Sequence, residues 1–399
     1  MSDPVQYGAL AIIMSSMRLI LTVALLSSTG AVYPQSLVDP NRAARLAESF
    51  DARKDDQQLH CEVTPIQPRL NFSFRFQAGY VFRVPMKQFA GTGHRWTVLT
   101  RLTPASGGDA ALLSARYRLP SVPKTKSVAE WGGLFWVGEG NYKVEWVLYD
   151  EARRVCRKQW KIDAKLSASE RGITPGIAPG SVAQISFRRW SAQDRNEADA
   201  PTLRRLTVFL HAAPLFPRMT RFRAQDRLTL LGSLASLLES VPARTVRLVI
   251  FNLDQQKELF RRDVFTPEDF DEASQSLAGL QLQLVDYSVL KNARGHVHLL
   301  ADLMNEQLNT PEASDAVIFL GPAARYFDKL PQASLEEPSG ESPRFFYLQY
   351  KPYMRARAEV ADSIELAVKK VHGKELEVRT PDDFARAIRQ VESQMVARK

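Results

Sequence analysis

Residues 206–215 read Leu-Thr-Val-Phe-Leu-His-Ala-Ala-Pro-Leu. The first five form a mainly apolar run of strand length, and the chain then turns into a loop that opens on His211. A continuous apolar run without alternation suits a strand buried on both faces. The residues downstream keep to the same plan. Ala224 to Ser240 predicts a helix with Leu228, Leu231, Leu234, Leu237 and Leu238 on its inner face. Val246 to Asn252 predicts the next strand, and Lys257 to Phe265 its hairpin partner. Thr266-Pro267-Glu268-Asp269 joins a cap, a proline at the first helical position and two acids, a strong helix start. A helix over His296 to Leu308 follows, then strands at Ala316 to Leu320 and Phe345 to Tyr350. Arg355 to Val371 predicts a helix stopped at Gly373, and Glu375 to Val378 a last short strand. Thr380-Pro381-Asp382-Asp383 repeats the helix start. Strands separated by helices of this length predict a doubly wound, mostly parallel α/β sheet over residues 203–396. Ligands of such sheets gather where strands end and loops begin.

Upstream the pattern changes to period two. Over residues 59–166, Asn71 to Phe76, Tyr80 to Val84 and Tyr142 to Val147 alternate apolar and polar side chains. Gly91-Thr92-Gly93, Ser106-Gly107-Gly108-Asp109 and Gly138-Glu139-Gly140-Asn141 separate such runs. This spacing predicts an antiparallel β-sandwich of immunoglobulin-like size. Its many rings suit core and inter-sheet packing; a carbohydrate platform of Trp131, Phe135 and Trp136 is the competing use. Residues 32–58 read as a polar tether with a short helix within Asn41 to Arg53. Residues 167–202 read as a linker whose Val182 to Trp190 stretch suits an edge strand of either neighbour. The chain is therefore expected to be multi-domain, with an all-β sandwich followed by the α/β sheet.

The chain has 399 residues and a formal charge of +9, with 45% apolar and 24% charged residues. Those fractions are those of a folded globular protein. Its basic residues are spread along both halves and mixed with acids, and no nucleic-acid motif accompanies them, so no nucleic-acid partner is expected. Met17-Arg18, the apolar Leu19 to Leu26 and the small residues Ser27 to Ala31 follow the order of a secretory signal peptide. Residues 1–31 are read as that signal, with residues 1–16 as an extension or a misplaced start. The alternative joins Ala9 to Leu26 into a retained membrane anchor, which Arg18 makes costly. After cleavage no stable membrane span remains, and the chain is expected to be periplasmic or secreted. Cys61 and Cys156, the two cysteines of an exported chain, are expected to pair; two separate buried thiols are the alternative.

Taken together, residues 203–396 resemble a von Willebrand factor A-type domain. The likeness lies in element order and in the ending, where a helix stops at His372-Gly373-Lys374 before a short strand and Thr380-Pro381-Asp382-Asp383-Phe384. That family holds Mg²⁺ with an Asp-x-Ser-x-Ser loop, a Thr and an Asp, hard oxygen donors for a hard cation. In this chain the loop positions fall at His211, Ala213 and Leu215. The Thr loop carries Arg294-Gly295-His296, and the Asp strand ends in Leu320-Gly321-Pro322. The resemblance therefore implies the fold without its metal, and no cofactor is expected.

Gly-x-Ser-x-Gly, Lys-Ser/Thr phosphate loops and His-Glu-x-x-His are absent from the sequence, so no catalytic residues are assigned. The reading that follows is an exported, non-enzymatic binding or adhesion protein, recognising a protein or cell-surface partner through loops at the strand ends. The candidate contacts are His211, Leu215, Phe216, Arg218, Gly295, His296, Gly321, Lys351 and Tyr353. Leu215 and Phe216 are expected to be exposed, with arginines as a charged rim. Two alternatives remain: an exported enzyme with a metal centred on His211 and His296, and a purely structural envelope component. The leader itself is directly testable. N-terminal sequencing of the exported protein is expected to begin at Val32, and an intact N-terminus in the exported fraction contradicts cleavage.

Overall fold

The computed structural model describes residues 31–91, 93–187, 203–216, 219–284, 286–310, 313–337, 342–351 and 360–396. All but one residue of the expected leader lies outside them.

The front half is a sandwich of two sheets. Strands β1 (Ala31–Pro34), β4 (Glu62–Leu70), β5 (Phe76–Pro85) and β8 (Val128–Val137) form the first, ordered β1-β8-β5-β4, with β11 (Val182–Ala183) also on β8. The second contains β2 (Ser36–Leu37), β3 (Gln57–Gln58), β6 (His94–Pro104), β7 (Ala111–Leu119), β9 (Gly140–Asp150) and β10 (Arg154–Ala164), ordered β2-β7-β6-β9-β10-β3. Inward positions of both sheets carry the rings. Trp96 and Trp131 meet edge-on at 4.7 Å, and Phe82 lies 5.4 Å from Trp146. Phe135 and Trp136 are buried and Trp131 is half-buried, so these rings are packing elements. Cys61, just before β4, bonds Cys156 in β10 and ties one sheet to the other. Closing a loop of 95 residues in the unfolded chain stabilises the fold by about 4–5 kcal/mol in the chain-entropy account.

Residues 32–58 are not a free tether. The chain passes from one sheet to the other at Gln35, which is buried and donates from Nε2 to the Tyr80 hydroxyl (2.6 Å) and Thr100 Oγ1 (3.1 Å). Helix α1 (Pro40–Ala47) then lies on the outer face of the second sheet, where Ala43, Leu46 and Phe50 cover Leu99, Leu112 and Val147. Asp39 caps it, accepting from the Asn41 N–H. The polar look of this segment comes from its outward residues, and a few apolar ones suffice to dock it.

The back half is one six-stranded sheet of β12 (Leu203–His211), β13 (Ala243–Asn252), β14 (Lys257–Arg262), β15 (Ala316–Pro322), β16 (Arg344–Tyr350) and β17 (Lys374–Val378). The order is β14-β13-β12-β15-β16-β17, all parallel except β14. Helices α2 (Ala224–Ser240), α3 (Phe270–Ala278) and α7 (Pro381–Val396) cover one face, and α5 (Gly295–Asn309) and α6 (Ser363–Lys370) the other. A short α4 (Tyr287–Lys291) sits in the loop before α5. Leu206, Val208 and Leu210 point to the first face and Phe209 to the second, which is why β12 reads as a continuous apolar run. The helix expected from Arg355 begins instead at Ser363, capped by Asp362; residues 352–359 lie outside those described.

One segment joins the halves. Asn71 to Phe76, expected as an alternating strand, is the tight turn between β4 and β5. Asn71 Oδ1 accepts from the Ser73 N–H (2.9 Å) and hydroxyl, and Phe74 is held at φ 52°. Alternation there serves a different end. Phe72 stacks on Tyr350 at 5.2 Å and meets Phe384 edge-on at 5.8 Å, inside the core of the α/β half. Arg75 is buried, pairs with Glu239 at 2.9 Å, donates to Ser73 O at 2.8 Å and lies 4.9 Å over the Trp136 ring. Removing the Phe72 ring opens a cavity between the halves. Phe72→Ala is expected to cost about 3–5 kcal/mol and to split a shared calorimetric transition into two. An unchanged melting profile contradicts this docking.

Candidate functional site

Parallel strands place their C-terminal ends together, and the loops after β12, β13, β15 and β16 meet there. His211 ends β12. Its Nδ1 lies 2.9 Å from the Pro322 carbonyl oxygen at the end of β15, and its ring stacks on Phe251 at 5.2 Å. Gly321 makes this approach possible: at φ 148° it sits where a Cβ would come within 2.7 Å of the His211 carbonyl oxygen. Burial lowers the His211 pKa, outweighing the Pro322 hydrogen bond and the carboxylates of Asp254 and Asp362, which favour the charged form. A neutral imidazole donating from Nδ1 to Pro322 is the form this geometry supports.

Beside it, Asp362 is buried and fully engaged. Its Oδ2 accepts from the Ala324 N–H (2.8 Å), the Tyr347 hydroxyl (3.0 Å) and Gln349 Nε2 (2.7 Å), and Oδ1 from the Glu365 N–H (2.9 Å). Asn252 donates to the Ala212 carbonyl at 2.6 Å and accepts from the Gln255 N–H. Arg325 pairs with Asp254 at 3.6 Å and donates to the Met219 carbonyl. The first helix contact is made by His296, whose Nε2 is 2.9 Å from Asp328 Oδ2 while its ring stacks on Tyr326 at 3.9 Å. Gly295 precedes it because a Cβ there would overlap Gln256 Oε1. Asp226 takes the N–H groups of Leu215 and Arg223, and burial raises its pKa.

The expected contacts divide accordingly. His211, His296 and Lys351 are buried and bonded inward, Lys351 lying 3.5 Å from Glu377 and 3.8 Å from Glu375. Leu215, expected to be exposed, is buried in the core under α2, its N–H held by Asp226. Phe216 is exposed, with the Arg223 guanidinium 5.9 Å from its ring centre, so its arginine rim is partly in place. Arg218 and Tyr353 lie outside the described residues. Among the described residues no three His, Cys, Asp or Glu side chains stand close enough to hold a metal, and no helix is long and apolar enough to cross a membrane.

Of the apolar side chains that this edge exposes among the described residues, the sequence singled out Phe216 alone. Phe216, Leu284, Tyr287, Leu290, Phe327 and Val360 range from 40% to 71% exposed. They come from the loops after β12, α3, β15 and β16. Gln255 and Gln256 bond the carbonyls of Gln281 and Asn292, which fixes the 279–294 loop against the β13–β14 turn. A groove of about 650 Å³ lies between them, lined by Asp254, Gln281, Leu284, Val289 and Asn292. Elsewhere among the described residues only Leu37, Val128 and Val264 are large, apolar and exposed.

No protein-family model matches the chain, and no curated protein matches it. Part of it is similar to solved structures. A Bordetella pertussis protein described as ApaA is 9% identical, with 28% of this chain and 98% of that one covered and a TM-score of 0.20. A lipoprotein from Bacteroides thetaiotaomicron is 8% identical, covering 30% of this chain and 90% of that one, at a TM-score of 0.15. A β-glucuronidase from Bacteroides uniformis is 7% identical over 73% of this chain and 36% of that one, at 0.19. Likenesses this slight carry no inference about fold or function.

The buried His211 gives a pH dependence with a definite sign. In the unfolded chain its pKa is about 6.5, and in the folded chain it is lower. Its contribution to stability is therefore present above about pH 6.5 and lost as pH falls below that value through the folded pKa. Denaturation midpoints are expected to drop on the acid side of that pH, and His211→Phe is expected to flatten the drop. Identical profiles for the two proteins contradict a buried neutral imidazole.

Proposed function

We propose that this chain is an exported, non-enzymatic binding protein whose back half is a von Willebrand factor A-like domain without a metal site. It recognises a protein or cell-surface partner through the loops at the C-terminal strand edge. The strand order, with a single antiparallel strand at one edge, supports the family reading, and the absence of hard oxygen donors at His211, Ala213 and Leu215 supports only its metal-free form. The inter-sheet disulfide supports an oxidising compartment. The immunoglobulin-like sandwich serves as a module that carries the recognition edge.

One observation carries the binding reading. Among the described residues, six of the nine exposed large apolar side chains stand at this edge, while His211 Nδ1, His296 Nε2 and Asp362 are spent on internal bonds. Apolar side chains concentrated among polar neighbours mark interaction sites more often than scattered ones do. Aromatic anchors in such patches carry most of the affinity of an interface.

Capture of the partner from the native exported fraction by the full chain tests this. Tyr287→Ser, Leu290→Ser and Phe327→Ser are each expected to weaken capture about tenfold or more, about 1.4 kcal/mol or above, with melting temperatures unchanged. Val264→Ser, at the far end of β14, is expected to leave capture intact. Equal capture by all four variants contradicts recognition at this edge.

A further inference from the structure

Arginines that are scattered in the sequence gather on one flank of the sandwich. In the β6–β7 register Arg95 lies opposite Arg118, and Thr97 opposite Arg116. Trp96, Val98, Ala115, Tyr117 and Leu119, which alternate with them, fill the sandwich core. The alternation turns Arg95, Arg116 and Arg118 outward, and all three are exposed. Helix α1 covers the neighbouring part of the same outer face, and its Arg42 and Arg45 are exposed as well. The acids of this flank are engaged with other groups. Glu151 bonds His94 and the Arg95 backbone N–H, Glu145 pairs with Arg101 and Lys143, and Glu48 with Arg53. Among the described residues none of the five arginines has an acidic partner within ion-pair distance.

Like charges placed opposite one another on a sheet face destabilise the pair, so folding alone does not account for Arg95 facing Arg118. A negatively charged group held between them would offset the repulsion. Guanidinium groups bind phosphate in a two-pronged geometry that lysine cannot reproduce. The five charges are spread over a sheet face and a helix, and they line none of the cavities beside the disulfide, between the halves or at the strand edge. A broad face suits a flat surface better than a threaded polymer. Single-stranded nucleic acid needs exposed rings on which bases stack, and the rings beneath this face, Trp96, Tyr117 and Trp146, are buried.

We propose that this flank docks on an anionic bilayer, with Arg42, Arg45, Arg95, Arg116 and Arg118 binding lipid headgroup phosphates. It is a second surface, independent of the strand edge. Each arginine contributes about fivefold to partition onto an anionic membrane, and added salt screens the attraction.

The test is co-sedimentation of the full chain with vesicles of phosphatidylcholine and phosphatidylglycerol, against phosphatidylcholine alone. Binding is expected only to the anionic vesicles and to fall with salt. The triple variant R95Q/R116Q/R118Q is expected to bind roughly a hundredfold more weakly, and R42Q/R45Q roughly twentyfold. R42Q/R45Q is expected to keep the parent melting temperature and R95Q/R116Q/R118Q to match or slightly exceed it, since all five side chains are exposed and a cross-strand repulsion is removed. Three results overturn the proposal: variants that bind as the parent does, equal binding to both vesicle types, or tighter binding to soluble single-stranded DNA than to the vesicles.

Discussion

The turn at Asn71 to Arg75 decides how the two halves act together. It seats one ring in the core of the other half and holds a guanidinium and a strained residue at the boundary between them. Phe72 packs over the end of β16 beside Phe384 of α7, and its stack on Tyr350 pins that strand end. Arg75 has left water, a loss of several kcal/mol for an unpaired charge, and Glu239, Ser73 O and the Trp136 face offset it only in this arrangement. The left-handed Phe74 adds strain that Asn71 compensates by holding the turn. Sandwich and sheet are thus coupled across helices α2 and α7, while the strand ends and their loops form a separate edge.

At that edge, polarity and surface have been separated. In a parallel sheet the ends of neighbouring strands leave room for a ligand. Here the room is taken by the chain itself: the Pro322 carbonyl meets His211, and Asp362 collects donors from the loop after β15, from β16 and from helix α6. Buried polar groups satisfied in this way have little left to offer an ion or a reacting substrate. What remains open to solvent is apolar, in loops fixed to the sheet by hydrogen bonds from Gln255 and Gln256. Anchored apolar loops bind a partner without the entropy loss of ordering them.

Much of the fold was legible because the signal was periodic. Ala224 to Ser240 and the strands around Leu206, Val246, Ala316 and Phe345 lie within a residue or a few of where the pattern puts them. Misreadings arose where local pattern serves a distant contact. Asn71 to Phe76 alternates because its rings enter another core, which no local rule distinguishes from a strand. Residues 32–58 look polar because few of the described side chains, Gln35, Val38, Ala43, Leu46 and Phe50 among them, face inward. At the site, the strand ends were placed correctly, but burial was not, since Leu215 and Lys351 turn inward according to the path of the loop. Leu284 and Phe327 sit in irregular segments, and Tyr287 and Leu290 in the single turn of α4, too short for a period to mark their direction.

The separation of polar and apolar groups at the strand edge is open to one direct measurement, calorimetric titration of the purified chain with Mg²⁺ and with Zn²⁺. Hydrogen bonds that already occupy His211, His296 and Asp362 predict no saturable heat with either ion. A stoichiometric heat for Mg²⁺ or Zn²⁺ that disappears in His211→Phe would contradict the account.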